Sequence, residues 1–476
     1  MKKECAFNFE ENLKIRQQRL SYLSINKTID EKTFIKPYNL YREMPTRELL
    51  EKYINVDCTQ KENIILTTEQ CLQDIAQLEF LISYFYAGYY PFGEDFFDTC
   101  FQKMRNEINK CKSINVEQFQ AIINDSLVGI RDYHFAIHFK KTLRPFDNSM
   151  ADKTFYNDKY NIIKRNSDYS ISIGNKEHKI KKVNSKTPSK FIKTILTKNG
   201  DLKYALIEYC PANKYKDLTL TLDDGTKINI ACAPVEYNYP SVQKELILTS
   251  LENNILYIRN QTLNKRLFGN HEESQAKLKP LEAIENAKCG IMDVCNNGGG
   301  SDDIVEKMMD KLGFSNNGYP INYFDLCARI NESEKDKVID EFIQKYERSI
   351  ERNMPNIDRI KIAKPLEMIT TSEKPLIILQ DRNSCSAAEA FIELFYKHKS
   401  TIYIGDNTAG MMHFGNVKLY YLNSSGIQLR FGCSHFVNSG NKFLEGIGIE
   451  PDIYFPYEYE ALVQATKKFI SKNILK

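Results

Sequence analysis

The spacing of apolar and polar positions divides the chain into four stretches. Residues 1–65 are rich in Lys, Glu and Asn, with only short apolar runs such as Ile64-Ile65-Leu66, and predict a polar arm. From 68 to 125 the period is helical: Ile75, Leu78, Glu79 and Ile82 share one stripe with a single polar exception, and Phe85 and Tyr86 extend it. Phe96, Phe97, Cys100 and Met104 repeat the pattern after the Pro91-Phe92-Gly93 turn, and these aromatics read as core. From 168 to 234 short strands are expected. Tyr169-Ser170-Ile171-Ser172-Ile173 alternates up to Gly174-Asn175, and Leu218 to Leu222 meets a hairpin signal at Asp223-Asp224-Gly225. A short helix is expected over 188–196. Beyond Asn254, Ile255-Leu256-Tyr257-Ile258, Gly290-Ile291-Met292-Asp293-Val294 and Leu376-Ile377-Ile378-Leu379 are nearly all apolar. Such runs suit strands covered on both faces, and helical stripes follow Ser301 and Ser386, so the C-terminal half predicts an α/β core.

Composition narrows this only a little. At 476 residues two or three domains are expected, and 42% hydrophobic with 27% charged residues is an ordinary globular balance. A net charge of +3 argues against a dedicated nucleic-acid binder. The first 20 residues lack the apolar core of a secretory signal, and no run of 18 apolar residues spans a membrane, so the expected location is cytoplasmic. Twelve scattered cysteines without C-x-x-C pairs then read as reduced thiols, with no four-ligand zinc spacing.

Two strand-to-helix junctions carry candidate chemistry. In Asp293-Val294-Cys295-Asn296-Asn297-Gly298-Gly299-Gly300-Ser301, three glycines allow a sharp turn that exposes N–H groups beside a helix start. It is neither a dinucleotide fingerprint nor a P-loop. In Asp381-Arg382-Asn383-Ser384-Cys385-Ser386-Ala387-Ala388-Glu389, a hydroxyl sits at a helix start near main-chain donors, which suits a nucleophile and also an ordinary N-cap.

Together the junctions resemble the tail-specific, or C-terminal-processing, serine peptidases, including their tricorn-like branch. Two further motifs follow in the family's order: Gly405-Asp406-Asn407-Thr408-Ala409-Gly410 and Gly448-Ile449-Glu450-Pro451-Asp452, so the resemblance covers about 254–456. It implies a crotonase/ClpP-like ββα core over 250–476. Ahead of it the resemblance places a PDZ-like β-rich module (151–240) and a helical N-terminal domain (66–150). It implies Ser386 as nucleophile, with Ala387, Gly299 and Gly298 as oxyanion-hole donors. Many members place a Lys after the Thr-x-Gly motif; here that position is Met411, whose thioether takes no proton, and Cys295 stands in place of the usual Arg.

The tricorn-like branch instead implies His134 as base, within Leu127-Val128-Gly129-Ile130-Arg131-Asp132-Tyr133-His134, and Glu445 as its orienting acid. Tyr133 occupies the place of a relay hydroxyl, and His413 is the rival base. His134 and His138 lie four apart, as a helical metal pair would, but Phe135 to Phe139 alternates like a strand. The implied activity is hydrolysis of a peptide or unfolded protein through an acyl-enzyme, without metal or other cofactor; the sequence permits a homo-oligomer. The alternative is a non-catalytic ligand-binding protein on the same scaffold.

Overall fold

In the computed structural model the apolar runs of the C-terminal half are neighbouring parallel strands. The described residues are 8–19, 44–57, 64–145, 152–174, 176–236, 245–316, 321–326, 335–351, 357–361, 368–370, 374–395, 398–438 and 444–475. Ile255–Asn260, Cys289–Asp293, Leu376–Gln380, Thr401–Gly405 and Ile453–Tyr454 lie side by side in that order. Alternate side chains leave a strand on opposite faces. Leu256, Met292 and Ile378 therefore enter one core, shared with the helices Asp302–Lys311 and Ala387–Leu394. Ile255, Ile291 and Ile377 enter a second, covered by the C-terminal helix Tyr459–Asn473. Burial on both faces explains why these strands read as unbroken apolar runs.

The same sheet continues into the β-rich stretch. Tyr454 pairs in parallel with Ile195, and Ile192–Leu196 pairs antiparallel with Leu202–Pro211. Asp152–Arg165, Asp168–Ile173, Lys176–Val183, Leu218–Leu222 and Lys227–Ile230 extend it in an antiparallel array. The helix expected over 188–196 is not formed. Pro188–Lys190 is one 3-10 turn and the following residues are a strand, because β-branched Ile192, Thr194 and Ile195 can pair on both edges. From 152 to 236 the described residues contain strands and single 3-10 turns, with no α-helix.

The three main N-terminal helices, Thr68–Phe85, Glu94–Ile108 and Val116–Ser126, follow the period that predicts them. Thr67 closes a capping box with Gln70, which fixes where the first begins. Their apolar faces do not form a core of their own. Ile75, Phe85 and Phe119 pack with Tyr420, Leu429 and Phe431 from the strands Phe414–Tyr421 and Gln428–Asn438. The short strand Ala136–His138 pairs antiparallel with Gln428–Asn438, which carries the 130–138 segment against the C-terminal half. His138 lies in this strand and bonds Thr142 through Nδ1 (2.9 Å), so it makes no helical pair with His134. Part of the polar arm also belongs here: Leu50 and Ile54, around the helix Arg47–Tyr53, are fully buried in the same core. Two apolar residues four apart in a charged stretch are too brief a pattern to announce that. Among the described residues no helix is long and apolar enough to cross a membrane, and the cysteines are free thiols.

Candidate active site

The two Gly- and Ser-bearing junctions meet at the C-terminal ends of adjacent parallel strands. Val294 N–H donates to Leu379 O (3.0 Å), and Asn296 N–H reaches both carboxylate oxygens of Asp381 (3.1 Å). Cys385 N–H donates to Asn297 O (2.9 Å), so the Gly turn and the serine loop are stitched to each other. Gly299 sits at the closest approach with φ +82°. A Cβ there would lie 2.5 Å from Cys385 O and 2.9 Å from Ser386 Cβ, which is why the position takes glycine.

Ser386 precedes the helix Ala387–Leu394 with φ 54° and ψ −119°, a conformation L-residues rarely adopt. It is held there by Glu389, whose Oε2 accepts Ser386 N–H (2.9 Å) and Met411 N–H (2.8 Å), while Oε1 accepts Thr408 Oγ1–H (2.5 Å) and Gly410 N–H (2.8 Å). Glu389 is fully buried, and burial raises its pKa against the pull of these four donors. The Thr-x-Gly loop is pinned in turn to the last motif. Thr408 Oγ1 accepts Ile449 N–H (2.7 Å), and Gly410 O accepts Gly446 N–H (2.8 Å). All four sequence motifs thus converge on one place. Around Ser386, Ala387 N–H opens the helix, and Gly298 is exposed with open space where a Cβ would be. The Gly299 N–H is engaged with Asn297 Oδ1 (2.9 Å).

Glu445 lies beyond Met411 on the same loop system. Its Oε2 accepts Met412 N–H (3.1 Å) and His413 N–H (2.8 Å), and Oε1 has no hydrogen-bond partner among the described residues. Burial, and then the nearby Asp132, push its pKa well above the usual carboxylate range. His413 has both ring nitrogens occupied: Nδ1 meets Phe436 O (2.8 Å) and Nε2 accepts Leu444 N–H (2.9 Å). That pattern requires the neutral ring, and burial lowers its pKa to about 4.

His134 and Glu445, 311 positions apart in sequence, are brought together, and Asp132 joins them. Donor atoms of the three lie within 4.8 Å of one another, and His134 Nδ1 is 3.8 Å from Asp132 Oδ1. Asp132 is itself anchored, accepting His134 N–H (2.7 Å) and Tyr86 Oη–H (3.0 Å). The His134 ring bonds the Phe414 main chain, while Nδ1 has no hydrogen-bond partner among the described residues. Burial, with Arg430 and Arg144 adding to it, lowers the imidazole to about 3 and keeps it neutral. Burial likewise pushes Asp132 up to about 7.

Tyr133 turns elsewhere, to Arg382. Arg382, in the loop just before Ser386, is half-buried and lies over the Tyr209 ring. It donates to Tyr209 Oη and to Thr408 O, with Asp152 and Asp406 nearby. It ties the β-rich stretch to the serine loop. Asp132, Glu389, Arg382 and Tyr209 are the site residues that sequence reasoning missed. The Asp-x-His spacing of Asp132 and His134 was the one available signal.

Residues 254–455 match the model described as Peptidase family S41, and this span contains Ser386, the Gly turn and Glu445. The chain is a serine-type peptidase. A peptide or protein is accordingly the substrate of this peptidase. No curated protein matches the sequence. Among solved structures, the peptidase is similar to mature CPAF complexed with lactacystin, at 13% identity and a TM-score of 0.48, covering 85% of this chain and 97% of that one. A putative peptidase from Parabacteroides merdae matches at 13% identity and 0.42, covering 85% and 95%. The photosystem II D1 C-terminal processing protease matches at 12% and 0.38, covering 84% and 97%. At these scores the likeness is too loose to place any single residue.

Proposed function

We propose that the peptidase cleaves peptide bonds through an acyl-enzyme on Ser386, with His134 as general base and Glu445 as its orienting acid. The observation that carries this reading is the convergence of His134 and Glu445 in one buried cluster, although the helical N-terminal part and the C-terminal half supply one each. With Met411 in the position where many S41 peptidases place a lysine, a histidine base is the available chemistry. A neutral imidazole can accept the Ser386 hydroxyl proton as Oγ attacks the scissile carbonyl carbon. It returns that proton to the leaving amine as the C–N bond breaks, and water then hydrolyses the ester. Charge developing on the carbonyl oxygen falls beside Ala387 N–H, with Gly298 or Gly299 as second donor. Gly299 N–H now meets Asn297 and the His134 ring meets Phe414, so both groups exchange these partners when they take up the proposed roles.

His413 is a poorer base, because both ring nitrogens already serve the loop that holds Glu445. Tyr133 turns to Arg382, and Glu445 and His134 come within 4.8 Å of each other without it. Asp132 we read as a positioning residue that fixes the His134 backbone and faces its Nδ1. The parallel strands and their covering helices fit the crotonase-like core, and the β-rich stretch, joined through Arg382, fits a module that presents peptide to the site. The test is hydrolysis of an unfolded protein substrate by the wild type and by Ser386→Ala and His134→Ala. Both variants should be folded and at least about 10³-fold slower; a His134→Ala enzyme at full rate would remove the proposed base.

A further inference from the structure

We infer that Asp132, His134 and Glu445 form a binding site for a divalent transition-metal ion such as Zn2+, and that occupying it silences the peptidase. This rests on the reading of His134 as general base. The donor set is one imidazole nitrogen and two carboxylate oxygens, the types zinc takes from proteins. Zinc bonds of about 2.0–2.2 Å place neighbouring donors of a tetrahedral site about 3.3 Å apart. His134 Nδ1 and Asp132 Oδ1 are already 3.8 Å apart and all three residues offer donors within 4.8 Å, so side-chain rotations closing at most about 1.5 Å complete the geometry.

A cluster of acids alone would say little. Here two atoms of its residues are buried and without hydrogen-bond partners among the described residues: His134 Nδ1, on a side chain 6% exposed, and Glu445 Oε1, on a residue 1% exposed. A buried polar atom left unpaired is costly, and a cation between these two atoms and Asp132 Oδ1 would satisfy both. The supporting atoms are in place: Asp132 Oδ2 is held by Tyr86 and Oδ1 by His134 N–H (2.7 Å), and Glu445 Oε2 is held by two main-chain N–H groups while Oε1 is unpaired among the described residues. Arg430 and Arg144 are near enough to act on His134, so the site favours an ion whose affinity comes from the imidazole and carboxylate bonds. Metal on the imidazole removes the lone pair that would accept the Ser386 proton.

The experiment titrates the full-length, metal-free protein with Co2+, read by visible absorption, and then displaces it with Zn2+. Wild type should bind one ion that Asp132→Asn, Glu445→Gln and His134→Ala each weaken about 10–100-fold. His178→Ala should bind as wild type does, since the exposed group of His178, Asp223 and Asp224 is a control for surface binding. In parallel, Zn2+ should abolish fluorophosphonate labelling of Ser386 and EDTA should restore it. Circular dichroism selects the folded variants, and any two of the three suffice. Equal metal affinity in wild type and the folded variants overturns the site. Undiminished labelling with Zn2+ bound overturns the silencing while the peptidase reading stands. Zn2+ binding through His134 in a protein that never labels when metal-free overturns the peptidase reading and the silencing together, but supports the site.

Discussion

A single carboxylate oxygen of Glu389 accepts the main-chain N–H of both Ser386 and Met411, at 2.9 and 2.8 Å. It links the strained residue at the helix start to the loop that follows Gly410. The other oxygen holds Thr408 and Gly410, so one buried side chain fixes two loops. Glu389→Ala leaves four donors unpaired and should destabilise the fold by about 3–5 kcal/mol. Glu389→Gln keeps the shape but turns an amide toward N–H groups, and should slow labelling of Ser386 more than it lowers the melting temperature. Thermal melts and labelling rates on the two variants check this.

The Gly turn separates two kinds of glycine. Gly299→Ala places a methyl against Cys385 O and Ser386 Cβ at positive φ, and should abolish labelling. Gly298→Ala adds its methyl to open space and should label normally. Gly298→Pro removes the N–H, so a selective loss of rate in this variant identifies that group as the second oxyanion donor.

Arg382 is a half-buried cation held by Tyr209 and Thr408, with Asp152 and Asp406 close by. Removing it takes the nearby positive charge from buried Asp406, while Asp152 keeps Arg131 at 3.2 Å. Arg382→Met should therefore destabilise the protein by about 2 kcal/mol, and Tyr209→Phe by about 1 kcal/mol. Urea titrations of both variants measure the difference.

Protonation of Asp132 and of His134 couples stability to pH in opposite directions. Buried Asp132, pushed up to about 7, keeps its proton in the fold at pH values where an unfolded aspartate, titrating near 3.9, has lost it. Its contribution is full below about pH 4 and is lost as pH rises through about 7. His134, lowered to about 3 by burial, has the opposite sign: its contribution is full above about pH 6.5 and is lost as pH falls through about 3. The two oppose each other between about pH 4 and 6.5. Asp132→Asn should make stability rise more steeply with pH across that window, and His134→Ala less steeply, read from urea midpoints at several pH values. Slopes that do not move in either variant would show that these groups do not titrate as their burial dictates.

Much of this was legible in the sequence because local signals and burial agreed. Ile291 and Met292 face opposite cores, so their run is apolar throughout, and Thr67 with Gln70 marks a helix start. Ser386, the Gly turn and Glu445 sit in ordered motifs. What local pattern could not supply was partnership across the chain. The stretch 192–196 fits a helix or a strand until Leu202–Pro211 is placed beside it. Nothing near Arg382 in sequence names Tyr209, and nothing near Glu445 names Asp132. His413 looked like a base because it is a histidine beside the motif; only three-dimensional neighbours reveal that both its nitrogens are engaged.

The most direct measurement is covalent. Wild type, Ser386→Ala and His134→Ala are treated with a fluorophosphonate, and the adduct is mapped by mass spectrometry of the digested protein. The account predicts one phosphonyl group on Ser386 in wild type, none in Ser386→Ala, and labelling slowed at least about 10³-fold in folded His134→Ala. An adduct on another residue, or none on folded wild type, would contradict it.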